Sequence, residues 1–492
     1  MLHKWYILAI VVLIYLPVSI DATVLHVAVP TLTQELALSN NQMLWIIDIY
    51  SLMMAGLILP MGALGERLGY KRLMLIGAII FQLGSVIAAF SPSAGVLLFA
   101  RVILACGAAM LIPATLACVR NIFLNEKERN FALGIWVIAG GGGAAFGPLL
   151  GGFLLEHYHW GTVFLINIPL IFFALIGGYY LLPAQAINAN KHINIVDALV
   201  LTCSILLLIY TIKTSMKAFD YSIIWTGLSG LILLVYFIQK QRKLVEPLID
   251  LSLFKLQSVK MGFLICVFAM IALVGFELLI SQELQFVYGF SPLEAGLFIL
   301  PFMLAVSLSG IFASLLINKF GVRLVSLFGL AFSAIALIGL AETNFTEHTY
   351  YAWFWMIVLG ASVETTFLAA TSAIISASPV EKATAAGSIE GMSYELGTGF
   401  GVAIFGLLVS YFYQKRIQFE GLLNDQQLEL AKNSIAETIH VLSSVDPKLT
   451  AQIQFMANQA FSSAHHSVLY VSSITLLILM LFVTFSWKIK KF

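Results

Sequence analysis

Apolar runs long enough to cross a bilayer recur fourteen times along this 492-residue chain, and no other feature constrains its fold so tightly. A helix that crosses the hydrocarbon needs about 20 apolar residues. Runs near that length lie at about 5–29, 43–64, 73–91, 96–118, 131–155, 161–182, 195–213, 222–238, 259–281, 292–317, 323–341, 350–376, 387–413 and 467–487. A membrane β-barrel would show short alternating segments instead. Charged residues make up 10% of the chain and hydrophobic ones 60%. A soluble domain carries roughly 25% charge, so no water-exposed fold of this size could hide so much apolar surface. The expected class is an all-α integral membrane protein embedded in a lipid bilayer. A net charge of +1 leaves no nucleic-acid footprint. Cys106, Cys118, Cys203 and Cys266 all lie in apolar runs without metal-ligand spacing, so no metal, cofactor or disulfide framework is expected.

The basic residues orient the chain. Nineteen of the 26 Lys and Arg fall on the side of the N-terminus, six fall on the other side, Lys213 among them, and Arg101 lies inside a run. That bias puts both termini in the cytoplasm, which requires an even number of crossings. The first run is followed by no small-residue cleavage site and reads as a retained helix. The expected location is the inner, cytoplasmic membrane.

Two loops recur at nearly one offset. GALGERLGYKRLMLIG at 62–77 matches SLLINKFGVRLVSLFG at 314–329, pairing Arg67 with Lys319, Gly69 with Gly321, Lys71 with Arg323 and Gly77 with Gly329. A second match pairs Glu128 with Glu381, Arg129 with Lys382 and Gly134 with Gly387. The shared offset implies a duplicated six-helix unit. It exceeds one half by the length of residues 183–257, which hold an inserted pair of helices. The expected plan is 6 + 2 + 6: a bundle over 1–182, a linker and hairpin over 183–257, and a second bundle over 258–492. Such paired bundles suit a rocking transporter with its site between them. The longest polar stretch, 414–466, lies on the outer side. Leu428, Ala431, Ile435, Ile439 and Leu442 follow helical spacing there, and Asp446-Pro447 reads as an N-cap and first-turn proline. Two short amphipathic helices are expected.

Ionisable groups inside hydrocarbon are costly and mark function by default. The candidates are Asp21, Asp48, Arg101, Glu277, Glu364, Glu390 and Glu395. Six acids against one base favour a cationic guest, or protons. Burial disfavours the charged form of a carboxylate, so buried acids exchange protons near neutral pH. A lipophilic cation and a proton cannot both neutralise one carboxylate, and that competition suffices to couple their movements. Glu390 and Glu395 stand about 140° apart around a helix, so they need not face the same space. Glu277 sits near the outer end of its run with Glu283 beyond it, where interfacial solvation is the alternative. Arg101 needs a partner or water, as a static clamp or as a barrier to protons. His26, five residues after Asp21, is a hydrogen-bonded neutral histidine or a relay. Trp45, Phe276 and Tyr394 are the aromatics whose faces would suit a flat cation. GGGGAAFGPLLGG at 140–152 lets helices approach closely, and Pro148 removes a backbone donor. The run lies inside a span without lysine, which excludes a phosphate loop.

Together these segments resemble the major facilitator superfamily, and within it the 14-helix drug:proton antiporters. GALGERLGYKR at 62–72 resembles the superfamily's loop signature, with Glu66 where Asp is usual. DATVLHVAVP at 21–30 resembles the first-helix motif, with His26 where Asn is commoner. RVILACGAAMLIPATL at 101–116 resembles the fourth-helix motif, FGPLLGG at 146–152 the antiporter motif, and WGTVFLINIP at 160–169 the segment after it. WIIDIYSLMMAG at 45–56, SQELQFVYGFSPLEAGLFILP at 281–301 and SIEGMSYELGTGFG at 388–401 are similar to exporters of quaternary ammonium compounds, dyes and viologens. The resemblance implies substrate or proton binding by Asp21, Asp48, Glu390 and Glu395. It implies a gating role for Gly62, Glu66, Arg67, Gly69, Lys71 and Arg72, and a pivot at Gly147, Pro148, Gly151 and Gly152. The expected partners are small lipophilic cations and protons, handled by a monomer. The alternative is a same-fold antiporter or importer of one physiological solute. A membrane-embedded transferase would need a polar catalytic cluster, and the only tight histidine pair, His465-His466, falls in the outer loop without supporting ligands.

Overall fold

The computed structural model describes residues 2–185, 195–215, 221–244, 247–379, 382–417, 419, 422–442 and 444–487. Lys191, Lys217, Glu381, Lys488, Lys490 and Lys491 lie outside the described residues, as do the side chains of Glu66, Lys127 and Arg129. The chain is built from helices α1 (Leu2–Glu35), α2 (Asn40–Leu68), α3 (Tyr70–Ala89), α4 (Ala94–Ile122), α5 (Glu126–His157), the short α6 (Thr162–Leu165) and α7 (Asn167–Leu181). A hairpin of α8 (Ile195–Ser215) and α9 (Tyr221–Gln241) follows. Then come α10 (Gln257–Gln282), α11 (Pro292–Phe320), α12 (Val322–Ala341), α13 (Thr349–Ala377) and α14 (Ala383–Arg416), the short α15 (Asp425–Ala431) and α16 (Ile435–Leu442), and α17 (Pro447–Ser486). Among the described residues thirteen helical stretches are long and apolar enough to cross a membrane, α6 and α7 counting as one. The glycine-rich α5 adds a continuous 32-residue helix.

Helix starts follow local chemistry. Ser39 with Gln42 and Ser291 with Glu294 form capping boxes at α2 and α11, each satisfying two orphan backbone donors. Asp446 caps α17 and Pro447 occupies its first turn. Gly69 and Gly321 turn the chain between α2 and α3 and between α11 and α12, at φ of 86° and 80°, where a side chain would strain the backbone. These two glycines are partners in the sequence repeat, so the duplication extends to backbone conformation.

Packing repeats as well. In the first half α1 packs on α5, α3 on α4, and α2 on α4; in the second, α10 packs on α14, α12 on α13, and α11 on α13. The halves meet along two seams, α5 against α11 and α2 against α14. The hairpin lies on the second seam, where Leu201, Ile205 and Ile209 of α8 join Leu52, Ala55 and Leu59 of α2 and Met392 of α14 in one apolar cluster. The helices are apolar all round because both faces are away from water: Leu308, Phe312, Phe328 and Phe332 stay exposed where lipid would lie.

Two expectations need correction. The last helix begins at Pro447, 20 residues before the apolar run from 467. Its first half is amphipathic, and Ile453, Ala457 and Phe461 bury themselves against Tyr413 and Phe419. His465 and His466 are therefore helical, not part of a loop. The stretch of helical spacing from Leu428 to Leu442 is split into two short helices, at 425–431 and 435–442, and Asp446-Pro447 starts the long α17 instead of a second short helix. On the side of the 62–77 loop, the basic side, Lys382 pairs with Asp250 at 2.7 Å and ties the linker after the hairpin to the start of α14. Partial burial of Asp250 opposes its ionisation, but hydrogen bonds from Lys382 and Ser252 hold its carboxyl below the usual carboxylate range.

The α3–α4 contact depends on Gly107, where an added Cβ would stand 2.7 Å from the Phe81 backbone nitrogen. Gly107→Leu is expected to destabilise the purified protein by about 1–3 kcal/mol through overpacking. Gly95→Leu, at a position where an added Cβ meets nothing within 4 Å, is the matched control. A thermal melt in detergent that leaves both variants alike refutes this account of the contact.

Candidate functional site

The buried charges divide into pairs that are internally compensated and acids that are not. In the first half, Arg101 on α4 is 1% exposed. Its guanidinium contacts Asp21 of α1 at 2.5 Å, donates through Nε to the Ile46 carbonyl at 3.1 Å, and lies 4.4 Å from the Tyr50 ring centre. Asn167 of α7 donates to Ser85 of α3 at 3.2 Å. Arg101 thereby joins α4 to α1 and α2 within one half, and its geometry is that of a clamp.

The second pair was not legible as one. Lys213, counted from sequence among the outer-segment cations, lies in the last turn of α8 and is 2% exposed. Its ammonium stands 2.6 Å from Asp48 and 4.2 Å from the centre of the Trp45 ring. Trp45 and Asp48 are three residues apart and share one face of α2.

The third pair joins the halves. His26 of α1 lies 3.0 Å from Glu277 of α10, both side chains 4% exposed. Gln285 adds a bond from its amide to the Val27 carbonyl at 3.0 Å. Glu277 is thus not solvated at an interface. Glu283 is not either: it is fully buried in the π-helical turn after α10 and contacts His465 of α17. The histidine pair therefore does have a supporting carboxylate.

Glu364, Glu390 and Glu395 differ: among the described residues no cation pairs with any of them. Glu390 accepts from Thr371 of α13 at 3.0 Å. Glu395 is buried on α14. Glu364 and Glu390 are half-buried and close enough to interact electrostatically. Tyr394 is half-buried beside Phe367 and, like Tyr15 of α1, lies within the field of these carboxylates. Phe276, by contrast, is fully buried edge-on to Phe302 and is core.

Of the residues given gating roles by resemblance, Lys71 donates to the carbonyls of Tyr179 and Leu182 at 2.7 Å each and caps the end of α7. Its repeat partner Arg323 donates to the Thr484 carbonyl at 2.6 Å, at the end of α17. Arg67 and Arg72 are exposed on the basic side, and Gly62 faces Pro113 with room to spare. Gly147 and Gly151 let α5 close on Thr23 and Val24 of α1. Gly152 sets α5 against the Pro292 backbone of α11, and Gly296 returns the approach onto the Pro148 carbonyl. The polar contacts that tie the halves at the far side include His26–Glu277, Gln285–Val27, Asn40–Ser410 at 2.8 Å and Asn40–Glu437 at 2.9 Å.

Two repeated six-helix halves, meeting at two seams of which the α2–α14 one carries buried acids, define a multi-pass membrane transporter. A family model of the Major Facilitator Superfamily matches residues 11–401, and the chain belongs to that superfamily. It is 48% identical to the methyl viologen resistance protein SmvA of Salmonella typhimurium over 488 residues, 99% of each chain. It is 34% identical to the multidrug efflux pump LfrA of Mycolicibacterium smegmatis, over 94% of this chain and 92% of that one. Among solved structures it is similar to an inward-facing, unoccupied bacterial homologue of the human lysosomal transporter Spinster, with TM-score 0.69 at 16% identity over 99% of both chains.

Removing one partner of the Arg101 clamp should be worse than removing both. Arg101→Met leaves Asp21 buried and unpaired, an expected cost of about 3–5 kcal/mol. Asp21→Asn combined with Arg101→Met should regain part of that stability. Equal melting temperatures for the single and double variants would remove the clamp from the account.

Proposed function

We propose that the chain exports lipophilic cations, such as quaternary ammonium compounds, dyes and viologens, in exchange for protons by alternating access. The observation that carries this reading is the cluster of Glu364, Glu390 and Glu395 at the α2–α14 seam and the adjoining α13, without a basic partner among the described residues. A buried carboxylate needs a counter-charge or a proton. Glu364 and Glu390 are half-buried, so neither is sealed off from a proton or a cation. Tyr15 and Tyr394 add π-faces of the kind that attract organic cations. The names of two relatives, a methyl viologen resistance protein and a multidrug efflux pump, support a drug exporter that takes viologens.

On this reading both termini are cytoplasmic, the far side is extracellular, and the contacts from Asn40, His26 and Gln285 hold the outer mouth shut. Residues 1–182 and 258–492 act as the two rocking bundles, and 183–257 is a hairpin leaning on one seam. Asp21 with Arg101 braces the first bundle. Gly147, Pro148, Gly151 and Gly152 let α5 move against α1 and α11. Gly62, Gly69, Lys71 and Arg72 shape the cytoplasmic mouth. The working unit is one chain in the cytoplasmic membrane.

Inverted membrane vesicles test the proposal. An acid interior should drive uptake of a monovalent dye such as ethidium, and a protonophore should stop it. Glu390→Gln should lower initial uptake about tenfold, the equivalent of about 1.4 kcal/mol, with the protein still inserted by immunoblot. Full activity in both Glu390→Gln and Glu395→Gln, or uptake indifferent to the proton gradient, refutes the assignment.

A further inference from the structure

Asp48, Trp45 and Lys213 form a site whose chemistry is that of a cation receptor. A carboxylate supplies charge, an indole supplies a negative face, and the surroundings exclude water. The site is already filled. The Lys213 ammonium sits 2.6 Å from Asp48 and 4.2 Å from the Trp45 ring centre, with Asp48 1% and Lys213 2% exposed. Tyr210, one turn earlier on α8, stands 6.4 Å from Trp45 and adds a second ring.

The occupant belongs to the hairpin, not to either six-helix half. α8 leans on α2 so closely that a Cβ at Gly56 would stand 2.0 Å from the Thr202 hydroxyl. Cys203, one residue on, is exposed, so the hairpin rests on the bundle by one face. Lys213 lies at its far-side end, in the last helical turn. An internal ion pair buried to this degree is held by one long, flexible side chain. Withdrawing that side chain exposes a carboxylate–indole pair of the right chemistry for an organic cation.

We infer that Asp48 and Trp45 are a second cation subsite, occupied at rest by Lys213 as a tethered competitor that an organic cation must displace. The inference rests on the cation-export reading above and adds to it a role for the hairpin. Displacement of Lys213 loosens the end of α8 from α2, so occupancy of the site is reported to the seam between the halves. A guest that binds only after the lysine leaves has its apparent affinity lowered by the fraction of molecules in which the lysine is out.

Equilibrium dialysis of tetraphenylphosphonium against the purified full chain tests this. If the lysine is in place in about nine of ten molecules, Lys213→Gln tightens binding about tenfold. Lys213→Arg, which keeps the charge, leaves binding near that of the unmodified chain. Asp48→Asn added to Lys213→Gln abolishes the gain. A second measurement needs no variant: reductive methylation with peptide mapping should leave Lys213 unmodified alone and modify it when tetraphenylphosphonium is saturating. Binding that Lys213→Gln does not tighten, or a lysine equally protected with and without the cation, overturns the inference. If that binding is still weakened by Glu390→Gln, cation export stands. Absence of tetraphenylphosphonium binding in every form of the chain counts against both.

Discussion

A full charge inside a lipid-embedded bundle must be met by another group, and this requirement organises the interior. Asp21 is answered by Arg101, Asp48 by Lys213, Glu277 by His26 and Glu283 by His465. Each pair also does mechanical work by virtue of where its members sit. The first binds α1 to α4 within one half. The second fastens the hairpin to α2, the third bridges the halves, and the fourth fixes α10 to α17. Breaking a buried pair by removing one partner costs far more than such a pair contributes over an apolar replacement, so these contacts fix arrangement more than they add stability. What remains, Glu364, Glu390 and Glu395, is the interior charge that the described residues leave without a cation.

The fold was highly legible because a bilayer permits few solutions. Runs of about 20 apolar residues have one stable form in hydrocarbon, and the described helices follow them closely. The repeat was legible for a related reason. Gly69 and Gly321 do a job that only glycine does without strain, so the backbone requirement leaves a mark in sequence.

Pairing was less legible because it is tertiary information. Lys213 ends an apolar run, and from sequence such a lysine reads as an interfacial anchor. Only the lean of α8 on α2 turns it inward. Glu283 and His465 are 182 residues apart, and the apolar run began only after His465 although Asp446-Pro447 already announced the helix that carries it. The missed signal was the absence of any breaker between 448 and 486. Thr371, which hydrogen-bonds Glu390, is an ordinary hydroxyl in an apolar helix, and nothing in the sequence distinguishes it.

The length of α17 has a mechanical meaning. Forty residues of helix span about 60 Å, roughly twice the hydrocarbon thickness. The surplus is a stiff arm on the far side, packed through Ile453, Ala457 and Phe461 against the end of α14, and α16 is tied to that same end of α14 through Tyr413 and Thr438, whose hydroxyls are 2.7 Å apart. A small tilt of the second bundle is magnified along such an arm, and a few degrees at the membrane become several ångströms at the tip. The bond from Asn40 to Glu437 near its base spans the two bundles, so it works as a stay that must be let go whenever the bundles tip apart on that side.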